Sequence, residues 1–176
     1  AKMYFLNILW FLLPAYFANM APVFANMIFK KKAQPIDFGR NLFGNHKTYR
    51  GFISGIILAL LIIYMQSYLT NFNFFRETSI IDYRNINLML FGLLFGFGSM
   101  LGDLIKSFFK RRLNIKPGSR FIPFDQIDYL LGTFLLLSFV YFPGWKFFVY
   151  SIIVTFFANI IVNYIGYYLR IRETKW

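Results

Sequence analysis

The stretch Leu88–Lys106, LMLFGLLFGFGSMLGDLIK, is an apolar run that ends in charge. From Leu88 to Gly102 it carries no charge, and its length approaches the roughly 20 residues a helix needs to cross the hydrocarbon core of a bilayer. Its glycines recur as Gly92-x3-Gly96 and Gly98-x3-Gly102, a spacing that removes side-chain bulk from one helix face and lets neighbouring helices pack closely. Asp103 and Lys106 then follow at the end of the apolar run. An ionisable residue at that depth is costly unless it faces a wet cavity or a partner, so it marks a functional site.

Four further apolar segments resemble this one. They cover about residues 3–29, 51–70, 124–142 and 145–169, the last two separated by the tight turn Pro143-Gly144. Hydrophobic residues make up 58% of the 176 and charged residues only 15%, whereas a soluble domain is roughly a quarter charged. The expectation is an all-α, polytopic membrane helical bundle of five transmembrane helices, forming a single domain over 1–176. Val23-Phe24-Ala25 loosely resembles a signal cleavage site, but the first run is long for a signal core and contains Asn7, Asn19 and Asn26, so a retained span is expected.

Loop charge sets the orientation. Residues 30–50 carry six Lys/Arg against one acid, residues 103–128 six against three, and the tail from Arg170 three against one. The loop 71–85 balances two against two. With five spans the basic segments share one side, which the positive-inside rule assigns to the cytoplasm. The N-terminus is then outside and the C-terminus cytoplasmic, in a multi-pass protein of the cell membrane.

There is no cysteine and one histidine, His46, which excludes disulfides, thiolate chemistry and multi-histidine metal sites within one chain. The candidate chemistry lies in two basic clusters. In the first, Asp103, Lys106 or Ser107, and Lys110 fall on one helical face, with Arg111 beside them. The alternative is that Asp103 pairs with Lys106 while the lysines snorkel to the interface. Asp125 and Asp128, three residues apart, enter the fourth segment on one face. Two hard oxygen ligands beside a basic loop suit Mg²⁺, which takes one or two carboxylates plus substrate phosphates. Helix capping is the other reading of an Asp in that position. The second cluster, Gly39 to Gly51, offers glycine backbone with Lys47, Thr48 and Arg50 as polyphosphate donors. It is not a Walker A loop, because Asn45-His46 separates Gly44 from Lys47-Thr48. His46 is read as a loop residue without a proton-transfer role. The asparagine pairs Asn19/Asn26 and Asn159/Asn163 are read first as interhelical glue.

Four stretches together resemble the archaeal CDP-archaeol synthase family, a relative of bacterial CDP-diacylglycerol synthase. They are Tyr16-Phe17-Ala18-Asn19 with Ala21-Pro22-Val23; Asp37-x-Gly39-Arg40-x2-Phe43-Gly44-x2-Lys47-Thr48-Tyr49-Arg50-Gly51; Gly102-Asp103-x3-Ser107-x2-Lys110-Arg111-x4-Lys116; and Pro123-x-Asp125-Gln126-x-Asp128. Asn163 and Trp176 also match the family's ending. Pro117 stands where the wider group has an acidic residue, and no Gly-His-Gly-Gly element occurs; both departures favour the archaeol branch. The resemblance implies a cytidylyltransferase that joins CTP to an isoprenoid ether-lipid phosphate and releases pyrophosphate on the cytoplasmic side, with no nucleic-acid partner. It implies that Asp103, Asp125 and Asp128 hold Mg²⁺, and that Lys47, Arg50, Lys110, Arg111 and Lys116 hold phosphates with Thr48. It also implies that Asn19, Asn26 and Asn163 line the polar cavity. A CTP-dependent polyprenol kinase and an anion channel or transporter are the competing readings.

Overall fold

The computed structural model describes residues 2–29, 33–40, 42–44, 46–115, 119 and 121–168. It contains α1 (Lys2–Ile28), α2 (Tyr49–Leu69), α3 (Asn73–Thr78), α4 (Leu88–Arg112), α5 (Phe124–Leu137) and α6 (Trp145–Tyr168). No strand occurs among the described residues beyond an isolated bridge between Pro35 and Thr48. Four helices, α1, α2, α4 and α6, are long and apolar enough to cross a membrane.

Helix α4 is the centre of the bundle, and its glycines explain why. A Cβ on Gly96 would lie 2.7 Å from Cα of Ile56, so α2 packs against α4 backbone to backbone. A Cβ on Gly98 would lie 2.6 Å from Cα of Thr133, and one on Gly132 2.7 Å from Cα of Gly102. The two glycine pairs therefore face different partners, the first α2 and the second α5, and both work as packing surfaces.

Helix α1 buries Ile8, Phe11, Leu12, Ala15 and Ala18 at three- and four-residue spacing, with small residues where α2 and α4 pass. Phe11 is the hub of an aromatic core, its ring 5.4 Å from Phe95 and 5.3 Å from Phe147, both edge-on. Pro14 and Pro22 sit inside this helix without ending it. Proline has no N–H, so Pro14 leaves the carbonyl of Trp10, four residues earlier, without its helical donor. The fully buried Gln66 of α2 supplies one, its Nε2 donating to Trp10 O at 2.5 Å, while its Oε1 accepts from the hydroxyl of Tyr83 at 3.0 Å. Burial holds the Tyr83 hydroxyl above its usual pKa, so it remains a donor.

Several boundaries differ from those read in the sequence. The helix that carries the third apolar segment runs on, as the shared face of Asp103 and Lys110 requires, through Arg111 and Arg112. It stops where Asn114 takes the left-handed conformation (φ 55°), with Ile115 N donating to Lys110 O and Asn114 N to Arg111 O. The helix continues past its first charges because only a cap residue ends it. The fourth segment, read as 124–142, is helical only to Leu137. Its 14 residues span roughly 21 Å at 1.5 Å each. The loop 71–85 contains α3, whose Phe75 ring lies 5.0 Å from Trp10, so this segment folds onto the bundle's end.

The repair of α1 makes a specific prediction. Gln66→Leu strips partners from two buried polar groups and should lower stability by about 1–3 kcal/mol. In a Pro14→Ala background, where residue 14 again donates to Trp10 O, that loss should shrink. A double-mutant cycle on unfolding in detergent checks this, with additive losses as the contrary result.

Candidate active site

Between α1 and α2 the chain forms a closed loop. Ile36 N donates to Lys47 O at 2.8 Å and Tyr49 N to Gln34 O at 3.2 Å, tying its two ends. Inside, the carboxylate of Asp37 accepts from the N–H groups of Gly39 and Phe43, each at 3.1 Å. Gly39 and Gly44 adopt positive φ of 83° and 91°, a conformation in which a side chain would be strained. Burial alone would raise the Asp37 carboxyl, but the backbone N–H groups of Phe43 and Gly39 outweigh it and hold it below the usual range. Asp37 is a residue the sequence reading quoted without giving it a role, although Asp-x-Gly is a local turn signal. Thr48, expected among the phosphate donors, caps α2 by accepting from Gly51 N at 3.2 Å.

The closed loop delivers Lys47 to α4, where its ammonium pairs with Asp103. One turn along the same face of α4, Lys106 reaches three carboxylates at once: Asp128 at 2.8 Å, and Asp103 and Asp125 at 3.3 Å each. The reading in which Asp103 merely pairs with Lys106 captures one of these contacts. Lys110 lies 3.1 Å from Asp125 and donates to Ser119 O at 2.6 Å. Asp125 also accepts from Phe121 N at 2.7 Å, whereas the N-cap position of α5 is Pro123 and makes no side-chain bond. Asp125 therefore holds the turn before α5 and receives two lysines; it does not cap the helix.

Three ammonium groups thus face three carboxylates. Such balance is what a low-dielectric site requires, because one unpaired charge there costs several kcal/mol, as an order of magnitude. The backbone crossing of α4 and α5 enforces it: a Cβ on Gly102 would run into the carbonyl of Asp128, so the residues next to this contact cannot separate. Among the described residues, no group of three or more His, Cys, Asp or Glu is gathered closely enough to hold a metal by itself. The position the three aspartates share is taken by the Lys106 ammonium.

The other candidate residues surround this centre unequally. Arg111 lies against Gly44, and its buried Nε has no hydrogen-bond partner among the described residues. Arg50 donates to Oδ1 of Asn26 at 2.6 Å, and Asn26 is exposed. Asn19 is half-buried on α1. Asn163 is buried and donates to Asn159 at 3.2 Å, along a seam where the Tyr16 hydroxyl meets Thr155 at 2.9 Å. Lys116 and the tail from residue 169 lie outside the described residues. A small cleft of about 40 Å³ opens beside Lys47, with His46, Thr48, Gly51 and Asp103 in its walls.

Bundle and site define a class: a polytopic helical membrane protein whose charged centre sits at the ends of its spanning helices. The family model described as CarS-like, CDP-archaeol synthase, matches residues 2–176, and the chain belongs to that family. The CDP-archaeol synthase of Archaeoglobus fulgidus is 33% identical over 97% of each chain. That of Pyrobaculum islandicum is 32% identical over 99% of this chain and 98% of its own, and that of Methanocaldococcus jannaschii is 33% identical over 96% and 95%. A solved intramembrane enzyme of archaeal membrane lipid biosynthesis shares the fold, with a TM-score of 0.65 and 24% identity over 88% of this chain and 91% of that one.

The Asp37 arrangement has a pH consequence. A carboxyl depressed in the folded state contributes stability above its unfolded pKa, about 3.9, and loses it as pH falls through the lower folded value. Protection of the Gly39 and Phe43 amides against hydrogen exchange should therefore persist at neutral pH and fade only below about pH 3.9. Asp37→Ala should remove it at every pH.

Proposed function

We propose that the protein transfers the cytidylyl group of CTP to an isoprenoid ether-lipid phosphate of the 2,3-bis-O-geranylgeranylglycerol 1-phosphate type, making a CDP-lipid and pyrophosphate. The observation that carries the reading is the convergence of Asp103, Asp125 and Asp128 on one cation position between Lys47 and Lys110, in a chain of this family. An oxygen of the lipid phosphate bonds to the α-phosphorus of CTP as the bridging α–β P–O bond breaks, and its electron pair leaves with pyrophosphate. No proton has to move, so positioning and charge neutralisation account for most of the rate.

Mg²⁺ suits the chemistry of this donor set: three hard carboxylates lie 2.8–3.3 Å from one cation, and closing to the roughly 2.1 Å of a Mg–O bond, with the nucleotide's phosphates completing the shell, would make them ligands. Bound there, it would neutralise charge on the attacking and leaving oxygens. Asp103, Asp125 and Asp128 are its proposed ligands. Lys47, Lys110 and Arg111, with Arg50 and Lys116, are the proposed phosphate donors; Asn19, Asn26 and Asn163 line the polar surroundings. Arg111 is well placed, because its unpartnered Nε borders the glycine loop.

We also propose that α5 completes a fifth crossing, with the N-terminus outside and the active site cytoplasmic. Two contacts support it. Helix α5 begins beside the basic end of α4, where Asp125 meets Lys106, and α6 begins beside the start of α1, where the Phe147 ring lies 5.8 Å from Tyr4. The chain from α5 to α6 thus runs from one end of the bundle to the other, with residues 138–144 extending a short helix.

Assay of purified protein with labelled CTP and the lipid phosphate should yield pyrophosphate; release of CDP would instead indicate a kinase, and ion flux without product a channel. Asp125→Asn or Asp128→Asn should reduce Mg²⁺-dependent turnover by at least about a hundredfold while the protein stays extractable and monodisperse. Because the chain lacks cysteine, single probes report sidedness cleanly. Asn73→Cys in α3 should label in sealed cells with an impermeant thiol reagent, and Ser119→Cys only after permeabilisation. Equal labelling would overturn the five-span arrangement.

A further inference from the structure

Helix α4 has openings on two sides. The cleft beside Lys47 has Asp103 in its wall. On the opposite side, between α4 and α5, lies a groove of about 580 Å³. Its walls are apolar, built from Ile105, Phe109, Phe121, Phe124, Leu131 and Leu135. Ile105, Phe109, Phe124 and Leu135 are all substantially exposed along it, and the helices that frame it belong to a membrane bundle. Among the described residues that line it, the charged ones are Lys106 and Asp128. Gly102 and Gly132, whose close crossing brings α4 against α5, lie in its walls as well.

This combination constrains the occupant. A free nucleotide would leave its ribose and base against phenylalanine and leucine, with one ammonium for three phosphates. A phosphate monoester on hydrocarbon tails fits instead: the tails meet apolar walls, and the head meets one cation. Lys106 and Asp103 are three residues apart on α4 and 3.3 Å apart in space, yet one lines the groove and the other the cleft. Their ion pair is the partition between the two openings.

We propose that the α4–α5 groove is the tail site of the lipid phosphate, and that Lys106 is the residue that receives its phosphate. This deepens the cytidylyltransferase reading and rests on it. The arriving phosphate draws the Lys106 ammonium away from Asp128 and Asp125, exchanging two carboxylate partners for phosphate oxygens of the same charge type. Asp128 and Asp125 thereby lose one lysine partner and turn toward the cation position they share with Asp103, and the attacking oxygen is brought to the Asp103 wall, across which the nucleotide's α-phosphorus lies. Lys106 transfers no proton; it binds and orients.

The test is steady-state kinetics of the full-length protein in mixed micelles, varying lipid phosphate and CTP independently and reading pyrophosphate. Lys106→Met should raise KM for the lipid phosphate at least about tenfold, the loss of one charge-assisted contact, with KM for CTP changed less than about twofold. Lys106→Arg should recover most of that loss, which a purely structural role would not predict. Leu131→Trp, which narrows the groove and leaves the charges in place, should raise KM for the geranylgeranyl acceptor more than for a short-chain glycerol ether phosphate. If Lys106→Met does not fold, the arginine and tryptophan variants decide the question. A raised KM for CTP with an unchanged lipid KM would overturn the proposal by placing Lys106 on the nucleotide side. Equal effects of Leu131→Trp on long and short acceptors, or none, would overturn it by making the groove an ordinary seat for bulk membrane lipid. Absence of pyrophosphate from the wild-type protein would instead refute the cytidylyltransferase reading itself.

Discussion

The contact on which the structure depends is the backbone crossing of α4 and α5 at Gly98, Gly102 and Gly132. Within hydrocarbon there is little hydrophobic force between helices, so close packing of small residues supplies much of the association. Here that packing does a second thing. With no side chain at Gly102, the backbone at Asp128 comes against α4 directly beside Asp103, and two carboxylates from different helices share one ammonium. A methyl group at any of the three glycines would separate the helices and open the charged centre along with them.

A second constraint is the need to satisfy polar groups away from water. Pro14 frees a carbonyl in α1, and the bundle answers it with Gln66 and then Tyr83, a chain of donors linking α1, α2 and the segment after α3. The charged centre obeys the same rule on a larger scale, with three lysines matched to three aspartates. A balanced cluster is tolerable at low dielectric and is also easily reorganised. An incoming phosphate can replace a carboxylate as the lysine's partner, and an incoming cation can replace a lysine, with charge conserved at each exchange.

The two openings on α4 give this exchange a direction. One is bounded by the loop that Asp37 organises and Lys47 closes, and the other by the apolar faces of α4 and α5. A water-soluble nucleotide and a membrane-bound lipid must approach from different phases, and a single helix with a polar wall on one side and a greasy one on the other lets them meet. The shortness of α5 is consistent with that arrangement, since its first turn lies at the charged centre with no further turn preceding it.

Helical class, membrane residence, the packing role of the glycines and the presence of costly charge at Asp103 were legible in the sequence, because apolar length, glycine spacing and intramembrane charge are local signals. Family membership was legible as well, since its motifs are contiguous. The helical face shared by Asp103 and Lys110 carries α4 beyond its apolar run, but where the helix stops, at Asn114, is set by a cap that the apolar pattern does not show. The extent of α5 and the existence of α3 also escaped, since α3 packs on α1 through Phe75 and Trp10, and α5 packs on α1 and α6 through Phe134 with Phe11 and Phe148. Lys106 was noted as a neighbour of Asp103, and spacing alone can say no more than that. That its ammonium reaches Asp125 and Asp128 depends on a contact between residues some twenty positions apart, made by a different helix at a distance that only the absence of a side chain at Gly102 and Gly132 allows. Residue types and local spacing are written along the chain; which charges share one site is decided by how closely two backbones approach, and that is a property of the assembled bundle.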